Sequence, residues 1–204
     1  MPLTIEQLKQ GISYWRGTKW PPDFHNADYQ HLTKINPSGD FNQKWWDQFL
    51  PVLRAWRATR PRGSAFLTPR AQARFEALGE AWAATLAPHL EKDIGELEWH
   101  QIAAFPKLVA EIKDVPSPVF SSKFCHFLAP HIFPVVDNAA MGNPFRTYEA
   151  YFTTAKAEWR ETAAEIQAEL TALLTQKIVH PLFSGFPMKC KLIELCMIGR
   201  KNTG

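Results

Sequence analysis

The stretch SSKFCHFLAPHIFPVVDN, Ser121 to Asn138, puts a lysine and an aspartate fourteen positions apart at the ends of an apolar run that holds Pro130 and Pro134. Ser121 or Ser122 can cap a helix that begins at Lys123 and runs to about His131. Such a helix advances roughly 12–14 Å at 1.5 Å per residue. Pro134 stops it from continuing. Residues Ile132 to Asp137, when extended, span about 18–20 Å. The chain can therefore run back along its own helix, with FPVV packed on Phe124, Phe127 and Leu128, and deliver Asp137 to the side of Lys123.

An ammonium and a carboxylate brought together in a partly dry place have chemical uses. Desolvation lowers a lysine pKa, and a neutral lysine can attack a sugar C1′ as a Schiff-base nucleophile. A carboxylate can stabilise an oxocarbenium-like sugar or activate a nucleophile. Plainer readings stand beside these. Asp137 can serve as the N-cap of a following helix. Lys123 can be a solvated first-turn lysine, although the helix macrodipole disfavours a cation there. His126 and His131 are five apart and have no companion cluster at metal-ligand spacing, so no metal site is expected. Cys125 reads as a small buried apolar residue.

The rest of the chain fits a mostly α, multi-helix protein. Its 204 residues, 46% of them hydrophobic, suffice for one large core over 1–204 or for two small lobes of about 1–115 and 116–204 around a cleft. Helices are predicted over Ile5–Arg16 behind Thr4, from about Trp45 to Trp56, from Thr68–Pro69 to about Leu86, from about Glu98 to Lys113, from about Thr147 to Lys177 and from about Pro187 to Ile198. The segment from Gly17 to Asp40 has no sustained period and reads as an ordered aromatic loop. Apart from FPVV there is no strand signal. Three cysteines are too few for a disulfide framework, and no leader or run of about 20 apolar residues is visible. A cytoplasmic protein with reduced, buried thiols, acting as a monomer away from membranes and without a cofactor, is expected.

Lys123, the loop FPVVD and Asp137 together resemble the catalytic segment of the helix-hairpin-helix DNA glycosylase superfamily, including its 8-oxoguanine branch. In that family a lysine at the start of a helix is followed by a loop ending in the catalytic aspartate, often in a PVD-like sequence. The likeness covers about Val115 to Met141 and is that of a divergent, compact bacterial member. DVPSPVFSS stands where the family has a glycine-bearing hairpin, NAAMG lacks the histidine often found after the aspartate, and no four-cysteine cluster motif is present. The resemblance implies a base-excising enzyme with double-stranded DNA as partner. Asp137 would be the stabilising carboxylate, and Lys123 the nucleophile if strand cleavage accompanies base removal. A nucleic-acid-binding protein that keeps the scaffold but not the chemistry is the alternative.

Charge is uneven although the net value is only +3. Lys44, Arg54, Arg57, Arg60, Arg62, Arg70 and Arg74 have only Asp47 as an acidic neighbour within that stretch, and five of the eight tryptophans lie no later than Trp56. Lys44, Arg57, Arg60 and Arg62 can meet phosphates, and Trp46, off the main apolar face, can act as a wedge in the duplex. Ser121, Ser122, Asn138 and Arg146 complete the expected DNA-binding set around the lysine–aspartate segment. A stacking pocket for a flipped base needs flat side chains and a few polar groups. Trp20, Phe24, His25, Asn26, Asp28 and Tyr29 supply both.

Overall fold

A computed structural model describes residues 1–36, 38–60, 63–115, 117–178 and 181–201. Among the described residues there are twelve α-helices and no strand. They are α1 (Ile5–Arg16), α2 (Asn26–Leu32), α3 (Gln43–Ala55), α4 (Ser64–Gln72), α5 (Phe75–Ala81), α6 (Trp99–Ile102), α7 (Ala104–Ala110), α8 (Pro118–Leu128), α9 (Asn138–Met141), α10 (Tyr148–Glu161), α11 (Ala164–Lys177) and α12 (Met188–Arg200). A π-helical turn over Trp82–Leu86 and a 3-10 turn over Ala87–His89 extend α5. None of the described helices is long and apolar enough to cross a membrane. The three cysteines are free and buried.

Side-chain caps set several helix starts. Thr4 Oγ1 accepts from the Gln7 amide while Gln7 Oε1 accepts from the Thr4 amide, a reciprocal capping box that opens α1. Asn42, Ser117 and Thr147 accept from the third residue beyond them and open α3, α8 and α10. Ser117 followed by Pro118 begins α8 well before Lys123. The expected cap at Ser121 or Ser122 is thereby corrected: Lys123 is the sixth residue of its helix, and both serines are buried inside it.

Other boundaries move for local reasons. The helix expected from Thr147 to Lys177 breaks at Thr162, whose backbone is extended. The Thr162 hydroxyl donates to Glu158 O at 2.7 Å and accepts from the Leu3 amide at 2.8 Å. It pins the N-terminal segment instead of sitting in a continuous helix. The segment from Gly17 to Asp40 is not loop throughout, because the Asp23 carboxylate accepts from the His25 and Ala27 amides and starts α2. Pro69 lies inside α4 rather than at its first position. The helix expected from about Glu98 to Lys113 is broken into α6 and α7 at Ala103.

The two ends of the described chain are clasped by α1 crossing α12. A Cβ on Gly11 would lie 1.9 Å from Leu195 O, and one on Gly199 would lie 1.8 Å from Gln7 O. Backbone meets backbone there, so neither neighbour can step aside. One connected apolar core runs from Leu3 to Ile198 and places α8 and α12 deep in the molecule.

Gly11→Ala is expected to destabilise the protein by about 1–3 kcal/mol, because the overlap outweighs the roughly 1 kcal/mol helix-propensity gain of alanine. Gly79→Ala, where nothing lies within 4 Å of the new Cβ, is expected to be neutral or stabilising. Urea unfolding of the two variants checks this, and equal effects would remove the crossing as the reason for Gly11.

Candidate active site

The site begins with the return segment Ile132–Val136, which is buried, leaves α8 through a turn in which the Ile132 and Phe133 amides donate to Ala129 O, and belongs to no strand among the described residues. Its peptide groups are taken up by side chains. His126 Nδ1 bonds Phe133 O at 2.6 Å, Tyr148 donates to Pro134 O at 3.0 Å, Tyr151 donates to Val135 O at 2.7 Å, and the Val136 amide donates to Ser122 Oγ at 3.1 Å. A carbonyl can only accept, so His126 Nδ1 carries the proton. Its Nε2 then accepts from the Tyr29 hydroxyl at 2.8 Å, which links α2 to α8. Burial pushes the His126 pKa well down and keeps the ring neutral, as this pattern requires.

The return segment delivers Asp137 to the N-terminus of α9. Asp137 Oδ1 accepts from the Ala140 amide at 3.2 Å, and Oδ2 stands 3.8 Å from Lys123 Nζ. Capping and pairing therefore hold together. Lys123 Nζ also donates to Trp56 O at 2.8 Å, at the C-terminal end of α3. A helix dipole favours a cation at that end. Burial lowers the Lys123 pKa, and the charges of Asp137 and Glu194 oppose that shift.

Lys123 and Asp137 line a cleft of about 640 Å³, together with Trp15, Trp20, His25, Asp28, Trp56, Arg57 and Glu194. His25 stacks on Trp56 at 3.7 Å between ring centroids, and Trp15 meets Trp20 edge-on at 4.7 Å. His25 and Arg57 both adopt left-handed backbone, with φ of 68° and 57°. Non-glycine residues held there cost about 1–3 kcal/mol each, and such strain clusters at functional sites. Burial lowers the His25 pKa to about 4 against the hydrogen bond with Asp28, whose Oδ2 is 2.7 Å from His25 Nδ1. The neutral ring donates from Nδ1 to Asp28 and keeps Nε2 as an acceptor.

The expected site residues divide clearly. Trp20, His25 and Asp28 of the expected base pocket line the cleft. Phe24 and Tyr29 are fully buried core instead. Asn26 is a buried clamp that donates to Pro181 O and accepts from the Phe183 amide. Among the expected DNA contacts, Arg57 borders the cleft, and Lys44, Arg60 and Arg146 are exposed. Asn138 is half-buried and donates to Phe145 O. Trp46 is corrected: it is fully buried and its indole nitrogen donates to Thr68 Oγ1, so it has no surface to offer a duplex. Ser122 is likewise sealed, donating to Val119 O while accepting from Val136. Ser121 is buried at the edge of a separate hollow of about 180 Å³ that Arg146 also lines. Arg62 lies outside the described residues. Arg70 and Arg74 of the basic stretch are committed elsewhere: Arg70 donates to Glu111 O and Ile112 O beyond α7, and Arg74 pairs with Glu111.

Sequence reading missed two charged residues of α12. Lys191 is fully buried, donates to Glu194 Oε2 at 2.6 Å and lies over the Trp15, Tyr29 and Trp56 rings at 4.7, 5.8 and 5.8 Å. The signal was a lysine and a glutamate three apart in the otherwise apolar run CKLIELCMIG. Among the described residues no group of three or more His, Cys, Asp or Glu could hold a metal ion. No family model, curated protein or solved structure matches the chain.

The buried histidines make stability depend on acid. Below pH 6.5 an unfolded histidine takes up a proton that folded His25 refuses until about pH 4. Stability therefore falls as pH drops through that window. For His25 the full effect at neutral pH is up to about 3 kcal/mol, and His126 acts in the same direction. His25→Asn suits the left-handed backbone and removes the titration. The loss of stability between pH 6.5 and 4 is expected to be smaller in that variant, as measured by urea midpoints. An unchanged pH slope would contradict a buried neutral His25.

Proposed function

We propose that the chain is a DNA glycosylase of the helix-hairpin-helix kind, which flips a damaged or modified base from duplex DNA and cleaves its N-glycosidic bond. The observation that carries this reading is the meeting of Lys123 and Asp137 in one aromatic-walled cleft. Residues fourteen apart converge there through a buried return segment, and the cleft is wide enough for a flipped nucleotide. Trp20 and the stacked His25–Trp56 pair give flat walls for a base, while His25 Nε2 and Asp28 give it acceptors. Arg57 at the rim and Arg60 beyond it are exposed and suited to phosphates.

In this mechanism the Asp137 carboxylate faces the sugar and stabilises positive charge at C1′ as the bond to the base breaks. The nucleophile is water or Lys123. A neutral Lys123 can still donate one N–H to Trp56 O while its lone pair points at C1′, and burial favours that neutral form. Repair of damaged bases and defence against a phage genome with modified bases are both consistent with such a pocket. The same scaffold without chemistry, as a plain DNA-binding protein, is the outcome to be excluded by assay.

Asp137→Asn keeps the capping ability but removes the charge. Base release from duplexes carrying single damaged bases, 8-oxoguanine among them, and from base-modified phage DNA is expected to slow by about 10²-fold or more, close to about 3 kcal/mol. Binding to the same duplexes should persist and weaken with salt. Full activity in Asp137→Asn would remove the carboxylate from the chemistry, and no release by the parent protein from any of these DNAs would leave only the binding role.

Borohydride separates the two nucleophiles. If Lys123 attacks C1′, reduction of the imine leaves a covalent protein–DNA product with the parent chain and none with Lys123→Gln. Base release without a trapped product would make water the nucleophile and Lys123 a positioning group.

A further inference from the structure

The cleft contains a second carboxylate that the lysine–aspartate pair does not use. Glu194 lines it from α12 and is 4% exposed. Its Oε2 is held by Lys191, and Oε1 has no hydrogen-bond partner among the described residues. Asp137 is committed differently, with one oxygen on the Ala140 amide and the other toward Lys123. Two carboxylates in one cleft, one tied to a helix N-terminus and one sunk against a buried ammonium, are placed for different tasks.

We propose that Glu194 is the general acid and base of the cleft: it protonates the departing base and then takes the proton of the attacking water. This rests on the glycosylase reading. As the C1′–N bond breaks, its electron pair leaves with the base, and the Glu194 proton goes to that base. Water adds to C1′ and gives its proton to the Glu194 carboxylate, which restores the acid. The sum is base–sugar plus water giving base–H and sugar–OH. The Asp137 side chain stays opposite the sugar. Lys191, caged by three aromatic rings, keeps the Glu194 side chain aimed at the cleft in both protonation states.

The titratable groups close enough to act electrostatically with Glu194 are Lys191 and Cys190 on its own helix, Lys123 on α8, Asp137 before α9, Tyr29 on α2 and Tyr151 on α10. Burial raises its pKa, Lys191 and then Lys123 pull it down, and Asp137 pushes it up again. The net direction is upward, which favours a proton-bearing carboxyl.

The test has two readouts on the full chain. In the protein with 13C-labelled glutamate, the Glu194 carboxyl carbon, assigned by its loss in Glu194→Gln, is expected to titrate above the ordinary value of about 4.3. In single-turnover base release from the duplexes above, Glu194→Gln is expected to lose about 10²-fold or more. It should also lose the high-pH fall in rate that deprotonation of the acid gives the parent, while Asp137→Asn keeps that fall. If Glu194→Gln fails to fold around the unpaired Lys191, the double variant Lys191→Met with Glu194→Gln removes both charges and is scored instead. A titration at the ordinary value, or an unchanged rate and pH profile beside an active parent, overturns the acid–base role alone. A parent that releases no base overturns the glycosylase reading, and the role of Glu194 with it.

Discussion

A buried stretch of chain with no described strand beside it is the constraint on which the rest depends. Peptide groups cannot be left unsatisfied inside a core without a cost of about 1–3 kcal/mol each. Here Phe133, Pro134, Val135 and Val136 are served by a histidine, two tyrosines and a serine from α8 and α10. That side-chain cradle fixes the path of the return, and the path fixes where Asp137 arrives. The same histidine reaches across to Tyr29, so α2, which carries Asp28 of the cleft, is tied through α8 to the return segment.

Electrostatics follows from that geometry. The buried cluster holds two lysines, Lys123 and Lys191, and two carboxylates, Glu194 and Asp137, in alternation. Each group has an opposite partner beside it, and Lys123 also rests on the carbonyl that ends α3 while Lys191 rests on ring faces. Burying isolated charges would be prohibitive, whereas a balanced set with fixed partners is tolerable. Such a set stabilises the fold little for its complexity.

Several parts of this were legible in the residues. Thr4 and the spacing of Ile5, Leu8, Ile12 and Trp15 gave α1 with its observed bounds. Pro134 and the short apolar run gave the return and the meeting of Lys123 with Asp137. Ser117–Pro118, a cap followed by proline at the first helical position, opens α8 ahead of the cap expected at Ser121 or Ser122, which puts Lys123 inside the helix rather than at its start. Trp46 was misplaced because α3 is covered on more than one side: both Trp45 and Trp46 are buried, and a single-stripe reading exposes one of them. Lys191 and Glu194 look like solvated positions in isolation. The apolar run around them is the one local hint of burial; the packing of α1 over α12 that seals them is a tertiary fact. Arg70 and Arg74 looked like part of a basic surface for the same reason.

The clasp of α1 on α12 has a consequence for synthesis. Trp15 comes from the first helix and Glu194 from the last, and the backbones meet so closely that only glycine fits at the crossing. A nascent chain held short of α12 lacks the partner that covers α1 and has no floor beneath its tryptophans. The pocket therefore comes into being late, in one long-range event rather than piece by piece along the emerging polypeptide. A truncated product would carry the lysine and the aspartate without the chamber that encloses them.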